Sequence, residues 1–337
     1  MKVAVVQKNH TFSEEWIKYL QNKAIDYITV NPYSNDFIEK IAKSTHFLWH
    51  FDHFDSKDTI CAKTIINTLE RKIKTFPNAN ECSFFDDKLE QKYLFEQHLI
   101  KHPKTFVYFN KEEAFNNMDY INFPIVAKLR KGAGSNNVWL IKNKSELKTF
   151  IAKSFKKGHS VFNTKAYLKR RYLQSKKNND RIKGAFKSVT GAYSNNKNAH
   201  LIPKEKGYVL LQEFIENDGF DIRVVVINYA KAFTARRDAN KGDWTASGSG
   251  RASYPDENID KQYIKQAFEI AEKLNNRCIA IDFVKNHKTN EIYAIEASVF
   301  YAYYSMKRAK GYWTKELNWK KNDKDPQYFL IDTFLNQ

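Results

Sequence analysis

Two stretches, VLLQEFIENDGFDIRVVVI (209–227) and FTARRDANKGDW (233–244), decide the fold class of this 337-residue chain more than any others. The first contains an apolar, β-branched run, and both contain a turn rich in Gly, Asn and Asp, which is typical of strands joined by turns. The last third of the chain holds five such strand patterns, at 208–215, 221–227, 231–237, 278–284 and 291–298. One amphipathic helix is predicted among them, within 256–274.

The first hundred residues alternate short strand patterns with helical ones, which is typical of a parallel α/β sheet. Strands are predicted at 2–6, 25–30 and 45–50, and helices at 13–22, 34–43 and 57–72. No Gly-x-Gly-x-x-Gly follows the first strand, so the dinucleotide-binding fingerprint is absent. A helix that ends before Pro103 and then a strand are predicted within 86–109. FPIVAKLRKGAGSNNVWLI (123–141) indicates a strand, a glycine turn and a second strand.

The basic charge of the chain is concentrated in one segment. Of the formal net charge of +18, +15 falls within residues 141–210, which hold 18 Lys and Arg against Glu146, Asp180 and Glu205. The remainder of the chain is nearly balanced, so a nucleic-acid partner is not expected for the protein as a whole. The segment indicates either a site for an anionic molecule or a solvated insertion of Lys- and Asn-rich composition.

Other global features exclude several classes of protein. No run of about 18 apolar residues exists, so no membrane span is predicted. Met1 is followed directly by a short β-rich run instead of a signal sequence, and a cytoplasmic location is expected. Cys61, Cys82 and Cys278 lie far apart and predict neither a disulfide framework nor a metal site.

Two local features suggest nucleotide binding. Lys128 ends an apolar strand just before KGAGSNN (131–137), where a lysine and the N–H groups of a glycine turn suit phosphates. The alternative is a plain hairpin turn with a surface lysine. In LQEFIENDGFDIR (211–223), the backbone at the end of one strand suits an adenine edge, and Asp221 suits ribose hydroxyls. The alternative is that the acids of this segment are simply solvated at a strand turn.

Two further features suggest charge chemistry. Asp282 and Glu296 each place an acid inside an apolar strand, and a divalent metal is a good partner for buried acids. The alternative is that one of them faces solvent by alternation. In TARRD (234–238), the two adjacent arginines must point to opposite faces of a strand, so one can be solvated while the other faces a cleft. A guanidinium there could stabilise charge on a transferring phosphoryl group.

Taken in order, these features resemble the ATP-grasp superfamily, and within it the RimK-like ribosomal-protein glutamate ligases and the glutathione-synthetase-type enzymes. The resemblance runs from about Asp87 to Ser298 and is strongest over 209–244. It implies an α/β N-terminal domain followed by α+β ATP-grasp domains, with ATP held between two α+β lobes. The implied domains are 1–103, 104–211 with a basic insertion at about 150–206, and 212–337 with the metal carboxylates.

The resemblance also implies roles for the matching residues. Two lysines would bind phosphates, the segment 132–137 would fold over the β- and γ-phosphates, Glu213 would meet the adenine amino group, and Asp221 would bind ribose. The implied nucleotide-binding residues are Lys88, Lys128, Gly132, Gly134, Ser135, Gln212, Glu213, Phe214, Ile215 and Asp221. The implied catalytic residues are Arg237, Lys128 and Arg251, and the implied ligands of Mg²⁺ or Mn²⁺ are Asp282, Glu296 and Ser298.

The chain departs from the family pattern in three places. Ser298 stands where the family usually has Asn, and a hydroxyl is a poorer ligand for Mg²⁺ than an amide carbonyl. Thr245, Ala246 and Ser247 replace the family's Arg-Ser-Asn, although Arg251 lies close by and could substitute. The basic stretch also lengthens the interval between the second lysine and the adenine-binding strand.

The resemblance implies an ATP-dependent ligase that activates a carboxylate as an acylphosphate and joins it to an amine. Its partners would be a small-molecule, peptide or saccharide carboxylate and an amine donor, and a homo-oligomer is compatible with the sequence. Two alternatives stay open: a phosphotransferase that acts on a hydroxyl, and a non-catalytic ATP- or nucleic-acid-binding protein. Aromatic residues interleaved with the basic ones, Tyr172, Phe186 and Tyr193, could stack on a sugar or base of an acceptor.

Overall fold

The structure, a computed structural model, describes residues 1–53, 55–132, 137–161, 202–255 and 257–336. Its strands, in chain order, are β1 (Lys2–Val5), β2 (Asp26–Thr29), β3 (His46–Leu48), β4 (Lys74–Phe76), β5 (Thr105–Tyr108), β6 (Ile125–Lys128), β7 (Val138–Ile141), β8 (Val209–Glu213), β9 (Phe220–Ile227), β10 (Lys231–Asp238), β11 (Ala252–Ser253), β12 (Cys278–Lys285), β13 (Ile292–Ser298), β14 (Gly311–Trp313) and β15 (Trp319–Lys321). The helices are α1 (Ser13–Asn22), α2 (Phe37–Ile41), α3 (Ser56–Leu69), α4 (Ala79–Cys82), α5 (Lys88–Gln97), α6 (Lys111–Asn116), α7 (Lys144–Lys156), α8 (Lys261–Lys273) and α9 (Pro326–Asn336), with a short 3₁₀ helix at Met118–Tyr120.

The strands of the described residues form three sheets. β2, β1, β3 and β4 make a parallel sheet in that order, as the strand–helix alternation of the first hundred residues predicts. β5, β8, β6 and β7 make a four-stranded antiparallel sheet. The third sheet has seven antiparallel strands in the order β13, β12, β9, β10, β14, β15, with β11 paired to β10.

The seven-stranded sheet is covered on both faces because its central strands are apolar on both sides. Val225 and Ile227 of β9 belong to a core that includes the parallel sheet, whereas Val224 and Val226 pack with Ile264 of α8. Asp221 lies on the same side of β9 as Val225, since side chains two residues apart share a face. The face of the seven-stranded sheet that packs against the N-terminal domain therefore also carries Asp221, near the start of β9.

The C-terminal helix α9 returns to the first domain. Leu330 and Ile331 lie in the same core as Trp16 of α1, and the Trp16 indole Nε1 donates a hydrogen bond to Gln327 Oε1 at 3.1 Å. The sequence patterns do not predict α9, α7, or the three-residue strands β4, β14 and β15. Three residues are too few to show a period, and β15 (WKK) is dominated by lysine.

The first residues of the basic insertion predicted at about 150–206 belong to a helix. Residues 150–156 continue α7, and Phe150 and Ile151 pack in the core of the four-stranded sheet. Beyond α7, His159 pairs with Glu205 in an isolated antiparallel bridge. The central part of the predicted insertion, including the basic helix predicted at 165–173 and the aromatic residues interleaved with it, lies outside the described residues. Among the residues that are described, no helix is long and apolar enough to cross a membrane.

Candidate functional site

A cleft lies between the four-stranded and the seven-stranded sheets. Ten of the residues singled out in the sequence line it: Lys88, Lys128, Gly132, Gln212, Glu213, Phe214, Ile215, Asp221, Asp282 and Glu296. They come from both sheets and from the start of α5, so only the tertiary structure brings them together.

Two lysines lie on one side of the cleft. Lys88 is the first residue of α5, which Asp87 caps by accepting hydrogen bonds from the amides of Leu89 and Glu90 at 3.2 and 3.1 Å. The Lys88 ammonium donates to the carbonyl of Gly132 and lies 3.7 Å from Glu296 Oε1. This lysine therefore joins the glycine turn of one sheet to a carboxylate of the other.

Lys128 extends from the end of β6 toward the seven-stranded sheet. Its Nζ lies 3.5 Å from the carbonyl oxygen of Ile295 in β13. Burial, together with the nearby positive charge of Lys88, lowers the pKa of Lys128 to about 8, although Glu296 and Asp282 oppose the shift. An added anion beside this ammonium would restore its preference for the protonated form.

A β-bulge places Glu296 beside Asp282. The register of β12 and β13 pairs Asp282 with Glu296 and then Phe283 with Ala294, so Ile295 is the extra residue. A bulge redirects side chains locally. Because of this shift, Ala294 and Ala297 face the apolar core under α8, while Glu296 lines the cleft. The sequence predicts the two acids on adjacent strands, but no sequence pattern indicates the bulge.

Behind Asp282 lies a buried cluster of alternating charges. Arg223 Nε and Nη2 donate to Asp282 Oδ1 and Oδ2 at 2.7 and 2.9 Å. Arg237 Nε and Nη2 donate to Asp221 Oδ1 and Oδ2 at 2.6 and 2.7 Å, and Nη2 also contacts Asp282 Oδ2 at 2.7 Å. The interstrand register explains the arrangement, since Asp282 lies opposite Arg223 and Asp221 lies opposite Arg237.

This cluster shifts the ionisation of its members. Burial would raise the pKa of Asp282, but Arg223 and Arg237 together hold it well below its usual range. For Asp221, burial and the charge of Asp282 outweigh Arg237, so the pKa of this carboxyl is raised. Burial acts against the charged form of Arg237, yet the two carboxylates raise its pKa further. The arginine is charged at every pH at which the protein is folded.

The two arginines of TARRD point to opposite faces, as strand geometry predicts. Arg237 is buried in the cluster, with its side chain 11% exposed. Arg236 instead stacks on Phe220, with the guanidinium carbon 3.7 Å from the ring centroid, and pairs with Asp238 at 3.0 Å. Arg237 does not itself line the cleft; it holds two carboxylates that do.

Part of the cleft lining is apolar. Gln212 and Glu213 end β8, where the Glu213 amide donates to the carbonyl of Lys104 at 2.9 Å. Phe214 follows and packs edge-on against Trp244, with 6.2 Å between ring centroids. Further apolar lining comes from Val126, Phe220, Val284 and Ile295. An apolar slot with a few strand-end polar groups suits a flat ring with hydrogen-bonding edges.

Several residues of the site were not predicted. Trp244 and the adjacent Thr245, Ala246 and Ser247 line the cleft, although the sequence indicated the last three only as departures from a family pattern. The sequence patterns predict no role for Arg223, which lies within DIRVVVI (221–227). Its position two residues after Asp221, on the same face of a strand, was a signal that could have identified it.

Three predicted site residues, Arg237, Arg251 and Ser298, do not line the cleft, and two others lie outside the described residues. Arg251 is exposed and its Nη1 donates to the carbonyl of Ala239 at 3.2 Å. Ser298 ends β13, and its Oγ accepts a hydrogen bond from the Phe300 amide at 3.3 Å. Gly134 and Ser135 are the two that the structure does not describe.

Several solved proteins are similar to this chain in structure. A D-alanine–D-alanine ligase from Bacillus anthracis, solved in complex with ATP, matches with a TM-score of 0.60 and 14% identity over 100% of this chain and 97% of that chain. A RimK domain ATP-grasp protein from Sphaerobacter thermophilus matches with a TM-score of 0.56 and 14% identity over 99% and 100%. The family profile described as a RimK-like ATP-grasp domain matches residues 184–310. The chain has the ATP-grasp fold.

The same comparisons limit what can be carried over to this ATP-grasp chain. A D-cycloserine synthetase, DcsG, also matches, with a TM-score of 0.59 and 9% identity over 99% of this chain and 100% of that chain. At such identities the likeness concerns the fold. No curated protein matches the chain in sequence. The fold class predicted from the sequence, an α/β domain followed by α+β ATP-grasp lobes, is confirmed.

The ATP-grasp cleft fits a nucleotide with a divalent cation. Magnesium in such sites is usually held by one or two carboxylates together with substrate phosphates. Asp282 and Glu296 are opposite one another in the register and both line the cleft, on the side that receives Lys88 and Lys128. Among the described residues, no group of three or more acidic, His or Cys side chains could hold a metal ion. The donor set therefore fits a metal that takes most of its ligands from a bound nucleotide and water.

Proposed function

We propose that the protein is an ATP-dependent ligase that converts a carboxylate to an acylphosphate and joins it to an amine. One observation carries the proposal: a single cleft contains two lysines and Gly132 on one wall and the carboxylates of adjacent strands on the other. The structural neighbours include a D-alanine–D-alanine ligase solved in complex with ATP and a D-cycloserine synthetase, which supports the same class of reaction here.

In the proposed reaction, the apolar slot beside Phe214 and Trp244 holds the adenine ring. Lys88 and Lys128 neutralise the phosphates where the sheets approach one another. Asp282 and Glu296 would hold Mg²⁺, and the metal would supply charge neutralisation at the phosphate oxygens.

The chemistry requires no nucleophilic side chain. A substrate carboxylate oxygen attacks the γ-phosphorus, the bond to the β-phosphate oxygen breaks, and ADP leaves. An amine then attacks the acyl carbon, inorganic phosphate leaves, and the amine loses a proton to give the amide. Lys128 would stabilise the negative charge that builds up on the transferring group, and positioning would supply most of the rate.

A product analysis tests the proposed class. The full chain is incubated with ATP, Mg²⁺, amino acids and acidic acceptors, and phosphate release is followed by mass measurement of any product. A ligase gives phosphate release that needs both a carboxylate and an amine, and a product with the summed mass less one water. A phosphorylated acceptor would identify a kinase instead. Nucleotide binding that weakens steeply with salt, without hydrolysis stimulated by a carboxylate, would indicate a binding protein.

A variant pair tests the assignment of the metal side of the cleft. Glu296→Gln should weaken Mg²⁺-dependent binding of ATP by more than about tenfold, since it removes one of the charges offered to the cation. Glu291→Gln is the matched control, because Glu291 is exposed, precedes the same strand and pairs with Lys101. Equal ATP binding in both variants and the parent would contradict the assignment.

We further propose that the carboxylate acceptor is anionic overall. The support is the charge of +15 within 141–210 and the exposed lysines of α7, which include Lys144, Lys148, Lys153 and Lys156. Deletion of residues 165–200 leaves the bridge between His159 and Glu205 in place. It should raise the KM for the acceptor and leave the KM for ATP unchanged. An equal rise in both would contradict the role of the segment in acceptor binding.

A further inference from the structure

The guanidinium of Arg223 is committed to one carboxylate. It makes a two-point pair with Asp282 through Nε and Nη2, at 2.7 and 2.9 Å, and the side chains are 19% and 3% exposed. Such fork-to-fork pairs fix the plane of a carboxylate as well as neutralising it. Ala235, opposite Arg223 on the other neighbouring strand, is small and buried.

The remaining contact of Asp282 is equally specific. Oδ2 also meets Arg237 Nη2 at 2.7 Å. A carboxylate can accept about four hydrogen bonds, two on each oxygen. Within the part of the chain that the structure describes, Asp282 uses both positions on Oδ2 and one on Oδ1. The free acceptor position is therefore on Oδ1, and Arg223 is the residue that holds this oxygen in place.

We propose that Arg223 is a positioning residue for the divalent cation, because it fixes Asp282 so that Oδ1 alone is presented as a ligand. This inference rests on the proposed function. It goes beyond that function in assigning a role to a residue that needs no contact with nucleotide or metal.

A neutralising role and an orienting role of Arg223 predict opposite changes in metal affinity when the arginine is removed. The measured change therefore tests the proposal. If the arginine served only to neutralise Asp282, its removal would leave more negative charge for the cation, and metal affinity would rise. If it orients Asp282, its removal frees the carboxylate to rotate about the remaining contact with Arg237, and metal affinity falls. Outer-shell partners of metal ligands typically change metal affinity by about 10–100-fold.

The experiment measures Mn²⁺ binding by electron paramagnetic resonance, with the full chain in the presence of a non-hydrolysable ATP analogue. Arg223→Met should raise the Mn²⁺ dissociation constant by about 10–100-fold. Arg223→Lys should give an intermediate value, because an ammonium offers one contact point where the guanidinium offers two. The Kd of the analogue without metal should stay within about twofold of the parent, since Arg223 is not a cleft-lining residue.

Arg277→Met is the matched control for the loss of a buried arginine–carboxylate pair. Arg277 donates to the buried Glu81 at 2.5 Å, and neither residue lines the cleft. This variant should lose stability in thermal unfolding, as Arg223→Met should, but it should bind Mn²⁺ like the parent. Unchanged or tighter Mn²⁺ binding in Arg223→Met would overturn the positioning role. A parent protein that binds neither analogue nor Mn²⁺ would overturn the proposed function instead, which keeps the two failures distinct.

Discussion

Lys128 provides a quantitative test of how the cleft receives phosphate. Its pKa is lowered to about 8 by burial and by Lys88. In the nucleotide-free protein the ammonium therefore loses its proton as the pH rises through about 8. A phosphate beside it favours the protonated form, so binding must take up a proton above this pH, and affinity must fall as the pH rises.

The expected size follows from the protonated fraction. The apparent Kd for nucleotide is multiplied by one plus the ratio of neutral to charged Lys128, which is about 1.1 at pH 7, about 2 at pH 8 and about 11 at pH 9. Affinity for a non-hydrolysable ATP analogue with Mg²⁺ should thus weaken about tenfold between pH 7 and pH 9. Isothermal titration calorimetry in two buffers of different ionisation enthalpy would detect the accompanying proton uptake.

Lys128→Arg is the control, since arginine stays protonated throughout this range. Its pH profile should be flat above pH 7, whatever its absolute affinity. The terminal phosphate of the nucleotide titrates at lower pH and affects both proteins alike. A flat profile in the parent, or the same slope in both proteins, would refute the reasoning that a protonated Lys128 meets the phosphates.

Three further predictions concern stability. Arg237→Met should cost about 3–5 kcal/mol in chemical denaturation, because it leaves the buried Asp221 without its ion-pair partner and removes one of the two partners of Asp282. Arg236→Met, whose ion pair is half-exposed, should cost about 1 kcal/mol or less, and similar losses in the two variants would contradict the cluster. The two arginines lower the pKa of Asp282, so its contribution to the free energy of unfolding is present above about pH 4 and is lost as the pH falls further. The difference in stability between the parent and Asp282→Asn should therefore shrink below about pH 4, and a constant difference would be inconsistent with this. Burial raises the pKa of Asp325 to about 6, so the ionised form of this side chain disfavours folding. Asp325→Asn should therefore stabilise the protein at pH 8 by about 2–3 kcal/mol, and by progressively less as the pH falls toward 4. Thermal unfolding at both pH values would check this.

Much of the fold was predictable because its elements carry local periodicity. The helix at 13–22 has the bounds that its pattern predicted, and α8 lies within the predicted 256–274. The strand patterns of the last third are strands in the structure, because long β-branched runs bury both faces of a sheet. α7 shows the limit of this approach, since it is stabilised by burying Phe150 and Ile151, which its lysine-rich composition conceals.

The chemistry of the site was only partly predictable. The sequence indicated that a buried acid such as Asp282 needs a partner and suggested a metal. The structure provides two arginines, because antiparallel pairing sets Arg223 opposite Asp282, and Arg237 reaches the same carboxylate from the next strand. The partner of a buried charge depends on which strands are neighbours, and strand order is not written in local periodicity.

The sequence by itself determined the types of residue that the cleft would contain and the strands that carry them: two lysines, a glycine turn, and acids inside apolar runs. Only the tertiary structure decided how they meet. The Ile295 bulge turns Glu296 toward Asp282, and the approach of two separate sheets brings Lys88 and Lys128 to that pair. Residue type and period are local properties of the chain, whereas register shifts and contacts between sheets are settled by packing over long sequence separations.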